Sequence, residues 1–287
     1  MKMLIINADD LGADEARNAG IFEAIEAGIV TSASLLANGP ALDDALRRIR
    51  SLGRPGVSFG VHLNLSEGKP LSPNLRILTG PDGWFLKKPR THHLLMSSGD
   101  RSLDKEIVQE MTAQVEFLLD TGIGIDHLDG HQHVHVFPAS FLTAVRVSEK
   151  YGIPWVRIPE ESRPLMQMDS VPDGLVKEAR FFGTIAAQAR VQFKGTRVQA
   201  PDHFRGLYLK GMLSPPLLLN LLRELQPGIT ELMVHPGRAS DPTLSGPFSA
   251  FSTPDREREL EALLDPRVRE ALKDLEIDLI SFPMKQR

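Results

Sequence analysis

Residues 3–37 read MLIINADDLGADEARNAGIFEAIEAGIVTSASLLA, and this stretch sets the fold class. MLIINA (3–8) is a short unbroken apolar run, as expected of a strand buried on both faces. DEARNAGIFEAIEAG (14–28) places its apolar residues at helical spacing and stops at Gly28. IVTSASLLA (29–37) reads as a second strand. Strand, helix and strand in so short a span form a βαβ unit, whose two strands run parallel.

The alternation continues outward. ALDDALRRIRSLG (41–53) predicts a helix, and GVSFGVHLNL (56–65) a third strand with Val57, Phe59 and Val61 on one face and His62 and Asn64 on the other. Residues 66–100 scatter Gly, Pro and Ser and read as a long excursion with room for a minor hairpin. A helix follows over 103–122, then a strand over about 125–136, and Pro138 opens the next helix. PWVRIP (154–159) is a strand, 161–174 is irregular, and a helix is expected near 174–191. GTRVQAPDHFRGLYL (195–209) suggests a strand and turn, 214–226 a helix, and ITELMVHPG (229–237) a strand. Thr253 and Pro254 read as N-cap and first turn of a helix to about 264, and IDLISF (277–282) closes as a strand. Seven or eight such repeats predict an α/β fold with mostly parallel strands. The expected form is one domain over 1–287, an irregular (β/α) barrel. No Gly-rich phosphate fingerprint follows any strand, which speaks against a nucleotide fold.

Composition narrows the function classes. The chain of 287 residues carries a net charge of −4, has no basic run and is only 6% aromatic, so no nucleic-acid partner is expected. It has no cysteine, which excludes disulfide and thiolate chemistry. The apolar start meets Asp9 and Asp10 too soon for a signal peptide, and no apolar run is long enough for a membrane span. A cytoplasmic protein is expected, with homo-oligomerisation left open.

In a parallel barrel the working face lies at the carboxyl ends of the strands. There the first strand carries Asn7, Asp9 and Asp10, the third His62 and Asn64, the fourth Asp129, His131, His133 and His135, and a late one His235. A lone aspartate in such a place more often caps a helix, but four strands ending this way point to one shared site. Adjacent side chains on a regular strand face opposite ways. Asp9 and Asp10 can therefore share a site only where the strand ends and the pattern breaks. In HLDGHQHVHVFP (127–138), residues two apart share a face at roughly 6.6–7 Å, which allows one or two ligands to a common ion. The remaining imidazoles are then left to orient them. One carboxylate with two neutral imidazoles leaves positions open, as in catalytic zinc sites.

NADDLG, GIVTSASLLANG, GVHLNLSEGKPL, DHLDGHQHVHVFP and VHPG, in that order, resemble the YdjC-like carbohydrate deacetylase family, which includes chitooligosaccharide and hopanoid-associated deacetylases. The resemblance runs from Asn7 to the closing LISF. It implies a polysaccharide-deacetylase-like barrel and one divalent ion, Mg²⁺ or Zn²⁺, held by Asp10, His62 and His131. It further implies Asp9 as general base and His235 as general acid, removing an acetyl group from an N-acetylated sugar or oligosaccharide by metal-activated water. Gln132 stands where many members have histidine and is expected on the face opposite the ligands; Leu11 stands where Phe is frequent.

Weaker readings surround this set. Asp202 and His203 either reach the site or hold a turn, and Asp126 and His127 read as structural. His92 and His93 lie in the excursion, bordering substrate or facing solvent. Arg157 and Arg238 read as packing or surface residues unless they contact substrate or back the ligands, and Trp84 and Phe85 likewise unless one stacks on a sugar ring. The rival functions are a metal-dependent phosphoesterase on a similar barrel, for which two ions are usual, and a sugar- or metal-binding protein without turnover.

Overall fold

The computed structural model describes residues 1–165, 171–240, 246–248 and 254–282. Its strands are β1 (Lys2–Leu11), β2 (Ser32–Leu35), β3 (Ser58–Leu63), β4 (His127–Gly130), β5 (Trp155–Val156), β6 (His203–Arg205), β7 (Gly228–Val234) and β8 (Ile277–Leu279). The helices are α1 (Glu15–Glu26), α2 (Leu42–Ser51), α3 (Lys88–Leu95), α4 (Arg101–Asp120), α5 (Phe141–Tyr151), α6 (Asp173–Phe193), α7 (Pro215–Glu224), α8 (Pro254–Leu264) and α9 (Pro266–Asp274). A 3-10 segment, His131–Val136, follows β4 directly.

All strand pairs are parallel, in the order β5-β4-β3-β2-β1-β7-β6. β1 is the axis of the sheet. One edge pairs with β7 from Lys2 to Ala8, and the other is shared between β8 at Lys2–Leu4 and β2 at Asn7–Leu11. Its last eight residues are buried, so it lies between layers: Leu4–Ile6 are apolar as such a strand requires, while Asn7, Asp9 and Asp10 bury polar groups toward its carboxyl end. The sheet curls until Gln199, just before β6, makes a single bridge to Trp155 of β5. That bridge leaves the α/β barrel irregular.

Local signals explain most helix ends. Asp14 caps α1 by accepting from the Arg17 N–H, and Asp100 caps α4 through Ser102 and Leu103. α9 was not anticipated, although Asp265 accepts from the Arg267 N–H and Pro266 holds the first position, a standard opening. α8 begins at Pro254, and its expected cap Thr253 lies outside the described residues. The excursion contains α3 and a small hairpin marked by the bridge Thr79–Phe85.

One correction concerns the histidine strand. β4 stops at Gly130, and Gln132 and His133 take left-handed backbone angles, φ 51° and 57°. The alternation on odd numbers therefore ends at Gly130, and the residues after it are placed by a tight turn rather than by strand period. A break at Asp9–Asp10 does occur as expected. The β1–β2 register shifts between Ala8 and Leu11, and Asp10 has φ 65°.

Gly20 lets α1 lie directly on the chain after β7: a Cβ there would stand 2.5 Å from the Gly237 Cα. Gly20→Ala is expected to cost about 1–3 kcal/mol in urea unfolding through overpacking. A wild-type unfolding midpoint would show that the contact relaxes freely.

Candidate metal centre and active site

The carboxyl ends of β1, β3, β4 and β7 meet at one cavity, lined by Asp9, Asp10, His62, His131 and His235 together with Gln132 and His133. Asp10 Oδ1 lies 2.8 Å from His131 Nδ1 and 3.3 Å from His62 Nε2. Among the described residues, Asp10, His62 and His131 form one of two buried groups whose ligand atoms could share an ion.

Each member of this group is held from behind. Asp129 Oδ1 sits 2.8 Å from His62 Nδ1, and Glu67 Oε2 sits 3.2 Å from His131 Nε2. Carboxylates on the far ring nitrogens fix the orientation of metal-binding histidines and raise their basicity. The second Asp10 oxygen accepts from Arg17 Nη1 at 3.2 Å. Glu67 is itself placed by Asn64, whose Oδ1 accepts from the Ser66 and Glu67 N–H groups.

The electrostatics suit a cation. Burial alone would lower the His62 pKa, but the Asp129 and Asp9 carboxylates and the Asp10 contact raise it to about 10. Burial would raise that of Asp10, yet His131, His62 and Arg17 hold it well below the usual carboxylate range. One carboxylate and two imidazoles, each with its outer atom engaged, fit a divalent ion with open positions.

Asp9 is fixed differently. Arg157 Nη1 and Nη2 donate to its two oxygens at 2.7 Å each, and Asn7 Nδ2 donates to Oδ1 at 2.8 Å. Arg157 is fully buried and also lies 2.8 Å from both Asp129 Oδ2 and Glu231 Oε1. The second three-residue group, Asp9, His62 and Asp129, thus already faces a guanidinium. Asp9 Oδ2 stands 4.0 Å from His62 Nε2, beside the first group and apart from it. His235 follows β7 directly; its N–H donates to Glu259 Oε2 at 2.7 Å and its carbonyl accepts from Arg256.

The other expectations divide. Gln132 lines the cavity and does not face away from it, because the left-handed turn replaces the strand. His133 packs edge-on against Phe182, and His135 Nε2 lies 3.0 Å from the Arg157 carbonyl. Burial holds both imidazoles neutral, with His135 lowered to about 4. His127 stacks on Phe282 and meets Ser34 in the core. Asp202 and His203 hold the turn before β7, through the Ile229 N–H and the Pro227 carbonyl, away from the mouth. His92 packs on Phe137, while His93 is exposed. Arg238 pairs with Glu23 and Glu257 at the surface, and Phe85 is buried. Arg157 takes the supporting place behind the site that its sequence left open beside packing or surface. Its signal was its place immediately after β5. Arg17, Arg256 and Glu67 carried no comparable mark.

The YdjC-like protein family matches residues 3–274. The chain belongs to the YdjC-like family. A mouse carbohydrate deacetylase is 35% identical over 93% of this chain and 89% of its own length. A carbohydrate deacetylase of Clostridium beijerinckii is 30% identical over 97% of this chain and 98% of its own. A crystal structure from Enterococcus faecalis V583, of a protein suggested to be a cellobiose-phosphate cleavage protein, superposes with a TM-score of 0.74 at 27% identity. It covers 98% of this chain and 97% of that one.

Two predictions follow from the buried charges of this YdjC-like site. Arg157→Met leaves Asp9, Asp129 and Glu231 facing one another without a counter-charge, at an expected cost of about 3–5 kcal/mol in urea unfolding. A cost below about 1 kcal/mol would mean that the three carboxylates find other partners. Burial pushes Glu231 and Glu259 up to about 7 despite Arg157 and Arg256. Between about pH 4.5 and 7 these two carboxyls keep protons that the unfolded chain has shed and so pull stability down as pH rises. Against them stand the buried imidazoles of His92, His127, His133 and His135, whose lowered pKa pulls it up. Glu259→Gln removes one of the two downward pulls and should shift the slope of stability against pH upward by up to about one proton, read from denaturation midpoints across the window; an unchanged slope would contradict it.

Proposed function

We propose that this protein is a metal-dependent carbohydrate N-deacetylase, hydrolysing the acetamide of an N-acetylated sugar or oligosaccharide. The observation that carries the reading is the convergence of Asp10, His62 and His131 at the floor of one cavity, with Asp9 held beside them but outside the ligand group. The carbohydrate deacetylases to which the chain is 30–35% identical over nearly its whole length support the same chemistry.

Asp10 Oδ1, His62 Nε2 and His131 Nδ1 would hold one divalent ion, with Mg²⁺ and Zn²⁺ as the proposed choices. When bound, such an ion supplies Lewis acidity, lowering the pKa of a water from about 15.7 toward roughly 7 and polarising a carbonyl. Asp9 takes the proton of the attacking water at Oδ2, the oxygen nearer His62. Arg157 and Asn7 keep its carboxylate aimed while it does so. General-base transfer of this kind contributes about 10²–10⁴ in rate. His235 lines the same cavity and donates a proton to the departing amine, its backbone pinned by Glu259 and Arg256. The products are acetate and a free amino sugar.

Arg157 filling the second group of carboxylates argues against a two-ion phosphoesterase. No helix among the described residues is long and apolar enough to cross a membrane, and we place the protein in the cytoplasm.

The decisive assay measures acetate release from N-acetylated mono- and disaccharides by stripped protein reloaded with Mg²⁺, Zn²⁺, Mn²⁺ or Co²⁺. Asp9→Asn should lose turnover by about 10²-fold or more with metal content near wild type, whereas His62→Ala or His131→Ala should lose the metal as well. Equal metal loss in Asp9→Asn would remove Asp9 from the role of base.

A further inference from the structure

The catalytic cavity is narrow, with about 40 Å³ open to water-sized groups, the space of a few waters. An acetyl group can enter it, but a pyranose ring cannot. The body of the substrate must therefore lie outside. Beside the cavity runs a groove of about 870 Å³, a size typical of small-molecule sites. Its walls come largely from the 66–100 excursion and include Glu67, Asp82, Trp84, Lys87, Arg90 and Gln132.

Two of these residues tie the groove to the chemistry. Glu67 touches His131. Gln132 lines both cavity and groove. Its backbone is held left-handed at φ 51°, and its buried Oε1 has no hydrogen-bond partner among the described residues. A strained residue with an unsatisfied buried acceptor is a recurrent mark of a ligand contact. Toward the rim stands Trp84, 38% exposed. It is rigidly mounted: its carbonyl accepts from the Gly80 N–H at 2.9 Å and its N–H donates to Asp82 Oδ1 at 3.1 Å. Lys69 Nζ lies 5.4 Å from the ring centre. An indole held at the edge of a groove with polar groups along it is suited to the apolar face and hydroxyl rim of a sugar ring.

We propose that this groove binds the sugar ring joined to the acetylated one, with the Trp84 indole as its platform and the Gln132 amide reading the substrate at the junction. The proposal rests on the deacetylase reading, and its test separates the two. Besides Trp84 the chain has only Trp155, which is 6% exposed, so a change in tryptophan emission on ligand binding reports Trp84. Titrating N,N′-diacetylchitobiose into metal-loaded Asp9→Asn protein should give a saturable change that Trp84→Ala abolishes.

In the otherwise wild-type protein, Trp84→Ala should raise KM for the disaccharide about tenfold, with kcat/KM for N-acetylglucosamine unchanged. Trp84→Phe should stay within about twofold of wild type, and Gln132→Ala should lower kcat/KM for both sugars. An unchanged disaccharide KM in Trp84→Ala overturns the proposal. So does the absence of a saturable emission change in protein whose parent releases acetate. A saturable response without acetate release by wild type would instead uphold the groove and sink the deacetylase reading.

Discussion

One guanidinium organises the interior of this protein. Arg157 reaches Asp9, Asp129 and Glu231 at 2.7–2.8 Å from a fully buried position. Through Asp9 it sets the direction of the group proposed as base, and through Asp129 it backs the carboxylate that orients His62. Buried ion pairs add little to stability in themselves, because desolvation offsets the attraction. Their value here is geometric. Three acidic side chains from β1, β4 and β7 are forced toward one point, and the strands that carry them are fixed in register at the mouth of the barrel.

Around that point the roles separate by which atoms remain available. Asp10, His62 and His131 each turn one ligand atom inward and spend the other on a neighbour: Arg17, Asp129 and Glu67. Asp9 lies alongside, with Arg157 on both oxygens and Asn7 on one. Two adjacent carboxylates thus acquire different duties from their surroundings, since Asp10 is set among imidazoles and Asp9 against a guanidinium. The left-handed Asp10 backbone, at φ 65°, is what lets neighbours in sequence share one site.

Much of this was legible in the chain. The β1–α1–β2 unit follows from periodicity, the gathering of Asp and His at strand ends marks the shared site, and the family resemblance is what singles out Asp9, Asp10, His62, His131 and His235 within that wider set. What escaped has a common cause. Arg157 could be named as a candidate support, but its partners could not, since nothing local says that three carboxylates from distant segments will surround it. Arg17, Arg256 and Glu67 are similarly defined by tertiary partners rather than by spacing. Gln132 was misplaced because a strand period was carried past Gly130 into a left-handed turn. α9 was overlooked although Asp265-Pro266 marks its start, since its apolar residues are few.

Glu67 carries a consequence for the 246–248 segment. One of its oxygens meets His131 and the other accepts from the Phe248 N–H at 2.6 Å, while Arg17 bridges Asp10 and the Phe248 carbonyl. Two of the proposed ligands and this remote stretch of chain are thus clasped by the same pair of side chains. A change at Phe248 therefore reaches Asp10 and His131 without entering the space between them.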